Sequence, residues 1–488
     1  MTDLAALPRG TAPDRGGLRS PRRRRSTPRV LMGCAALVLA ASLVFAAIAA
    51  SMSGRVRSGF DAIGHTEAPQ VVAANNLVYS LNDMDANLAN VLMVGDKQLG
   101  PGIDRASFTK LFEQDRADAD HDLQLAAVHA GAGGAAAQQV GQALDSLGSY
   151  EALAAQVMYL DAGHADRPAG QVPAAEAALF AQATDLMRQS VLPAAKTVVA
   201  SNGQALESSY ESRHSAAEAA VWWIAGAGIV LLAALGGTQW FLLRRTNRLV
   251  NPPLAAATVL MLVVTVWGAS TMSGAAEHLR SAKKDAFDSV AALTAAKALS
   301  TDANADESRI IVDPSRAAQY QDSFLAKSRQ LMDVGAGATL GTYDAAVQTA
   351  LGTYFGDPVR HPVTFGGYFG TELHNITFAG ERATAEQMLR TYQTYELDDR
   401  KLRQKLATDL PEAVRFDTSP AASDSDGAFV AYASALQSVI DINSKAFDSS
   451  IDAGLSGLQP WPWVPLGGAV AVVALLVIGV RPRLAEYR

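Results

Sequence analysis

Val30–Ser51 reads VLMGCAALVLAASLVFAAIAAS, an apolar run with no charged residue. About 20 such residues cross the hydrocarbon core of a bilayer as a helix, which pairs all of its own backbone groups. Three more runs of this kind follow, Ala219–Leu243, Leu254–Ser270 and Val464–Val480, and none of the four contains Asp, Glu, Lys, Arg or His. The first pair flanks a polar middle of about 165 residues and the second pair one of about 185, each enough for a packed domain. The pattern predicts an all-α membrane protein. It should have four transmembrane helices and two four-helix-bundle domains in tandem on one side of the membrane.

Positive charge sets the side. Arg22, Arg23, Arg24, Arg25 and Arg29 precede the first run, Arg244, Arg245 and Arg248 separate the second from the third, and Arg481, Arg483 and Arg488 follow the fourth. Such clusters next to spans stay in the cytoplasm, so both termini and the short loop are expected inside and the two domains outside. The expected organisation is a disordered basic tail at 1–29, spans at 30–51, 219–243, 254–271 and 461–480, and a cytoplasmic loop at 244–253. Extracytoplasmic bundles fall at 52–218 and 272–460, the second with an insertion at 352–380, and a cytoplasmic tail at 481–488. The first run also suits a cleavable signal peptide, but it outlasts a usual h-region and continues into a helix, which favours an uncleaved anchor. Trp461 and Trp463 read as an interfacial anchor for the last span.

Composition narrows the function classes. Cys34, the single cysteine, lies inside the first run, so the outside domains must hold by packing without disulfides. The net charge is −7 although the cytoplasmic pieces are basic, so the outside domains are strongly acidic. That argues against nucleic acid as a partner. The eight histidines are scattered, and no zinc-hydrolase, nucleophile-elbow or phosphate-loop motif occurs. The acidic stretch Asp115–Asp122 lacks the glycine and terminal glutamate of a calcium loop and reads as a solvated helix face. No enzyme activity, cofactor or metal is expected. Charge-free spans also offer no path for an ion or polar substrate.

Within the first middle, Val71, Ala74, Val78, Leu81, Leu88 and Leu92 follow the three- and four-residue spacing of a packed helical seam. Further helices are expected at about 105–130 and 135–160, and from Ala174 into the second span. The second middle repeats the plan, with helices at about 272–312, 315–334, 381–406 and 428–455 and a polar, mobile loop at 416–427. Asp85-Ala86-Asn87 recurs as Asp302-Ala303-Asn304, which together with the shared span–bundle–span layout indicates an internal duplication. Asp85 occupies a seam position between Val78 and Leu92 where an aliphatic residue is expected. Either it leans out or pairs with a neighbouring helix to set register, or it forms a polar layer that switches packing when a partner binds. Asp85, Asn87, Asp302 and Asn304 are therefore candidate signal residues.

The segment Thr364–Glu381 is the least helix-like, with glycines beside Phe365, Tyr368, Phe369 and Phe378. It reads either as a recognition loop with exposed aromatic edges or as a plug on the bundle end. Its candidate contacts are Phe369, Glu372, Asn375, Phe378 and Glu381. On the inner side Arg244, Arg245 and Arg248 are the candidates for docking, because they join two spans; Arg22–Arg25 face lipid.

Glu372-Leu-His-Asn-Ile-Thr-Phe-Ala-Gly-Glu381, the junction Arg244-Arg-Thr-Asn-Arg248 to Asn251-Pro-Pro-Leu254, and the four-span layout resemble the actinobacterial GlnX-type membrane signalling proteins. That resemblance implies a place between an extracytoplasmic GlnH-like solute-binding lipoprotein and a cytoplasmic PknG-like serine/threonine kinase, relaying amino-acid status. Each outside domain resembles, more loosely, the four-helix sensor domains of chemoreceptors, without their cytoplasmic signalling domain. The expected function is a transmembrane signal relay, with membrane lipids around it and a homodimer compatible with the layout. The alternative is a structural or assembly factor of an envelope complex without ligand response.

Overall fold

The computed structural model describes residues 27–95, 99–130, 135–164, 166–246, 251–357 and 359–485. Among them there is no strand, only two isolated bridges, Gly100–Ile103 and Asp333–Gly366. The first half holds α1 (Thr27–Ala62), α2 (Ala68–Val94), α3 (Arg105–Ala130), α4 (Ala135–Ala162), α5 (Ala174–Leu186) and α6 (Leu192–Thr246). The second holds α7 (Pro252–Arg280), α8 (Asp288–Val312), α9 (Ala317–Leu331), α10 (Tyr343–Gly356), α11 (Gly367–Asn375) and α12 (Glu381–Leu406). It closes with α13 (Leu410–Thr418), α14 (Ser425–Leu458) and α15 (Val464–Ala485). Single π-helical turns, Ile63–Glu67, Met187–Val191 and Ser281–Phe287, join α1 to α2, α5 to α6 and α7 to α8 without breaking the helix. Four helical runs, Arg29–Val94, Ala174–Arg244, Pro252–Val312 and Val464–Pro482, are long and apolar enough to cross a membrane.

The chain divides into two compact units. Among the described residues one comprises 27–50, 223–246, 251–268 and 462–485. Its large apolar side chains, among them Leu37, Leu43, Val230, Val263, Leu466 and Val477, stay exposed, which is the surface lipid would cover. Its helices bury large apolar residues such as Phe45, Leu231 and Met261, and small and polar residues join them. A Cβ on Gly228 would come within 2.2 Å of Thr265, so only glycine admits this contact between α6 and α7. Gln239 Nε2 donates to Thr258 Oγ1 at 2.7 Å, and Asn251 Nδ2 to the Gly479 carbonyl at 3.0 Å.

The other unit is Ser51–Trp222 with Ala269–Trp461. The two polar middles, expected as two bundles in tandem, thus share one compact unit. The physical reason is the apolar face of α2: Leu77, Leu81, Met84, Leu88 and Leu92 pack in one core with Tyr150 and Phe180 of their own half and Ala298, Ile311 and Val312 of α8. Neither α2 nor α8 could bury that face alone. The stretch 416–427, expected as a mobile loop, instead contains the end of α13, and Phe416 and Asp417 are buried. Asp409 starts α13 by accepting the Glu412 amide at 3.2 Å. Trp461 is buried rather than anchored at a surface, while Trp463 is exposed.

Candidate functional site

Asp85 is fully buried, and the seam position it breaks faces α8. Arg309, also fully buried, donates from Nε to Asp85 Oδ2 at 2.9 Å, with Nη2 at 2.8 Å from the same oxygen. Tyr150 and Thr184 donate to Asp85 Oδ1, each at 3.1 Å. The other arm of the guanidinium, Nη1, reaches Asp302 Oδ1 at 2.9 Å and Asp306 Oδ1 at 2.7 Å. Lys327 of α9 adds its ammonium to Asp306 Oδ2 at 2.6 Å and Asp302 Oδ1 at 2.8 Å. The two aspartates of the repeated Asp-Ala-Asn motif thus converge on one arginine, in a layer of three carboxyl groups and two cations. Burial alone would raise the Asp302 carboxyl, but the Lys327 and Arg309 charges outweigh it and hold it below the usual carboxylate range. Burial likewise opposes the Arg309 charge, and Asp85, Asp306 and Asp302 overcome it. Such a layer adds little net stability over apolar packing, but removing one partner strands a buried charge, so it specifies one arrangement of the halves.

The asparagines of the motif diverge. Asn87 is buried and donates to Asp115 Oδ2 at 2.8 Å, which draws part of the acidic stretch of α3 against α2 instead of leaving it solvated. Asn304 is half-buried and takes no part in the charged layer.

Glu307 and Ser308, between Asp306 and Arg309 on α8, belong to a second buried group, an acidic one. Glu307 accepts from Ser425 Oγ at 3.1 Å, and Ser308 donates to Asp417 at 3.1 Å. Burial, reinforced by Asp399 and Asp417, pushes the Glu307 carboxyl well above its ordinary value. Burial raises Glu396 to about 8, and Asp399 and Asp417 each to about 7; for Asp399 it outweighs the neighbouring Arg403.

The segment Thr364–Glu381 does not present aromatic edges as the recognition-loop reading requires. Phe365 is buried, and Phe369 is fully buried, edge-on to Tyr392 at 5.0 Å and to Tyr432 at 6.2 Å. The glycines let the chain turn its rings inward; Gly367, at φ 76°, has main-chain oxygens of Gln330 and Leu331 within 2.7 Å of where a Cβ would stand. Phe378 remains half-buried. Glu381 Oε2 accepts the Thr377 and Phe378 amides at 2.7 and 2.9 Å, and its Oε1 accepts from Asn443 at 2.7 Å. Asn375 donates to Ser289 at 2.8 Å. Glu372 joins this group, its carboxyl raised to about 7 by burial and by Glu381. These three residues hold the segment to α8 and α14.

On the short loop, the Arg244 guanidinium lies over the Trp240 ring at 4.1 Å. Arg248, the side chain of Arg245 and the tail arginines Arg22–Arg25 fall outside the described residues.

Arg309, Asp306 and Lys327 were not singled out in the sequence. The available signal was Asp302, Asp306 and Arg309 at i, i+4 and i+7, three charges along one helix face, the last two at positions where α2 carries Ala89 and Leu92. Nothing in the spacing could pair that face with Asp85.

Among the described residues the chain is all-helical, with four candidate spans, a charged layer buried in its polar unit and no cluster suited to a metal ion. Residues 59–211 match the family model of the actinobacterial sensor domain, which supports an actinobacterial sensor protein. The matched stretch contains Asp85, Tyr150 and Thr184, whereas Arg309 lies beyond it. No curated protein and no solved structure matches the chain.

Proposed function

We propose that this protein is a non-enzymatic transmembrane relay that senses amino-acid status outside the cell, through a GlnH-like solute-binding lipoprotein, and passes it to a PknG-like serine/threonine kinase. In this reading both termini and the 244–253 loop are cytoplasmic, and Arg244, Arg245 and Arg248 face the kinase. The observation that carries it is the Arg309–Asp85 pair, which ties one sensor-like half to the other through buried charges. A buried ion pair does not stretch gradually. Moving α8 against α2 must exchange one set of partners for another, which makes the layer a two-state element. Each aspartate of the pair of motifs stands on a helical run that includes a candidate span, Arg29–Val94 for Asp85 and Pro252–Val312 for Asp302, so a shift in the layer has a continuous path. The resemblance to GlnX-type proteins and the sensor-domain match support the direction of the signal.

The test is the kinase's phosphorylation output in cells given or deprived of aspartate and glutamate. Deleting the protein should abolish the response, and Arg309→Lys, which keeps the charge but loses the fork, should lock or blunt it at normal membrane abundance. An unchanged response in the deletion strain overturns the relay. A response lost together with the abundance of an envelope complex, independent of amino acids, would favour the assembly-factor reading.

A further inference from the structure

Beside the charged layer lies a cavity of about 280 Å³, walled by α2, α6, α8, α9 and α11. That is close to the lower end of the range for small-molecule sites. Its apolar lining comes from Val78, Ala298 and Leu299, and its polar groups are unevenly satisfied. Asn82 is 1% exposed, and its Nδ2 donates to the Ala298 carbonyl at 3.1 Å. This bond fixes the amide's orientation and leaves Oδ1, buried and without a partner among the described residues, as a free acceptor on a residue that lines the cavity. Asp302 lines the same space. Its Oδ1 is taken by Arg309 and Lys327, and the layer behind it holds three carboxyl groups against two cations. Both groups call for a donor, and the excess of acid calls for a positively charged one. Lys196, exposed on α6, supplies a cation on another wall. A bare metal ion fits poorly: one carboxylate and one amide are a thin ligand set, and Lys196 would repel it.

We propose that this cavity binds a small zwitterion directly, with its ammonium donating to Asn82 Oδ1 and Asp302 and its carboxylate paired with Lys196. The solute class is that of an α-amino acid. The site would couple occupancy to the relay through Asp302, because a cation arriving there competes with Arg309 and Lys327 for the same carboxylate. The inference rests on the sensing role proposed above but places a ligand on the chain itself, and five of the eleven wall residues (Asn75, Val78, Asn82, Lys196 and Val199) lie within the sensor-domain match.

The experiment is titration calorimetry and thermal melting of the full chain in lipid nanodiscs. The probes are glycine, alanine, aspartate and glutamate, with a carboxylate lacking the amine and an amine lacking the carboxylate as controls. At least one amino acid should bind, and each control should bind at least tenfold more weakly. Asn82→Leu should weaken binding tenfold or more while the unliganded protein stays folded, since removal of an unpaired buried oxygen offsets the lost bond to the Ala298 carbonyl. Lys196→Gln should weaken the amino acid but not the amine control. No binding by any probe at millimolar concentration to folded protein overturns the site, as does equal binding by both variants. Either result leaves a relay through a docked solute-binding protein standing. Binding without any change in kinase output would instead overturn the relay and leave the site.

Discussion

α2 and α8 begin from the same Asp-Ala-Asn motif and pack against each other, yet they bury different chemistry. α2 buries an almost continuous aliphatic face, interrupted by Asn75, Asn82, Asp85 and Asn87. α8 buries Asp302, Asp306, Glu307, Ser308 and Arg309. In the register set by the motif, Arg309 stands where α2 has Leu92. If the halves arose by duplication, one copy kept a hydrophobic seam and the other acquired the charges that answer the single carboxylate in its partner. Two identical seams would pack in several registers with little to choose between them. One apolar and one charged seam meet in only one, because every slip strands a charge.

The strongest way to break this comparison is Arg309→Met. It leaves Asp85 buried without a cation, and should cost about 3–5 kcal/mol in chemical denaturation of the polar unit. The double variant Asp85→Leu/Arg309→Met should recover a substantial part of that loss. A double-mutant cycle with no coupling would refute the pairing across the halves.

Phe369→Ala tests the aromatic packing around α8, because Phe369 abuts Tyr432, whose hydroxyl lies 2.7 Å from Ser300 Oγ on α8. Removing a fully buried ring should cost about 3–5 kcal/mol, whereas Phe378→Ala should cost clearly less. Equal and small losses would restore the recognition-loop reading for this segment.

A pH titration sharpens the contrast between Asp302, held by the cations of its layer, and the buried carboxyls that α11, α12 and α13 gather around α8. Glu396 near 8 and Asp399, Asp417 and Glu372 near 7, with Glu307 also raised, bind protons in the folded chain that the unfolded chain has released. Their contribution is present at low pH and lost as pH rises from about 4 towards 8. Asp302 has the opposite sign, and its contribution is lost only as pH falls below the ordinary carboxylate value. The melting temperature should therefore be highest near pH 5 and drop by roughly 5–10 °C towards pH 8. A flat profile across that window would mean the acidic group is hydrated.

The smallest effect separates the motif's asparagines. Asn87→Ala loses the bond to Asp115 and should cost about 1 kcal/mol, while Asn304→Ala should stay within about 0.5 kcal/mol. Equal costs would mean the repeat is used symmetrically.

Local physics made much of the fold legible. The helix at Arg105–Ala130 and the one at Glu381–Leu406 follow from periodicity bounded by turn residues, and Asp313-Pro314 stops α8 where proline excludes helix from the residue before it. α10, α11 and α13 were missed because they are short and their faces are completed by other helices, α11 inside the very segment that reads as least helix-like. The Asp85 anomaly was visible, but its reading stayed open until Arg309 came into contact with it. The aromatic segment stayed open between recognition loop and plug, since glycine-rich turns permit rings to point either way and only the space between α12 and α14 decides.

What the sequence determined by itself is whatever depends on neighbours in the chain: four charge-free apolar runs, the helical period between them, the helix ends and the recurrence of Asp-Ala-Asn. What only the tertiary structure decided is which residues meet across more than two hundred positions of chain, namely Asp85 with Arg309, Asn82 with Ala298 and the cavity they border. A charge on a helix face is marked as costly by its sequence, but the partner that offsets the cost is chosen by the packing of distant helices, and no local pattern records it.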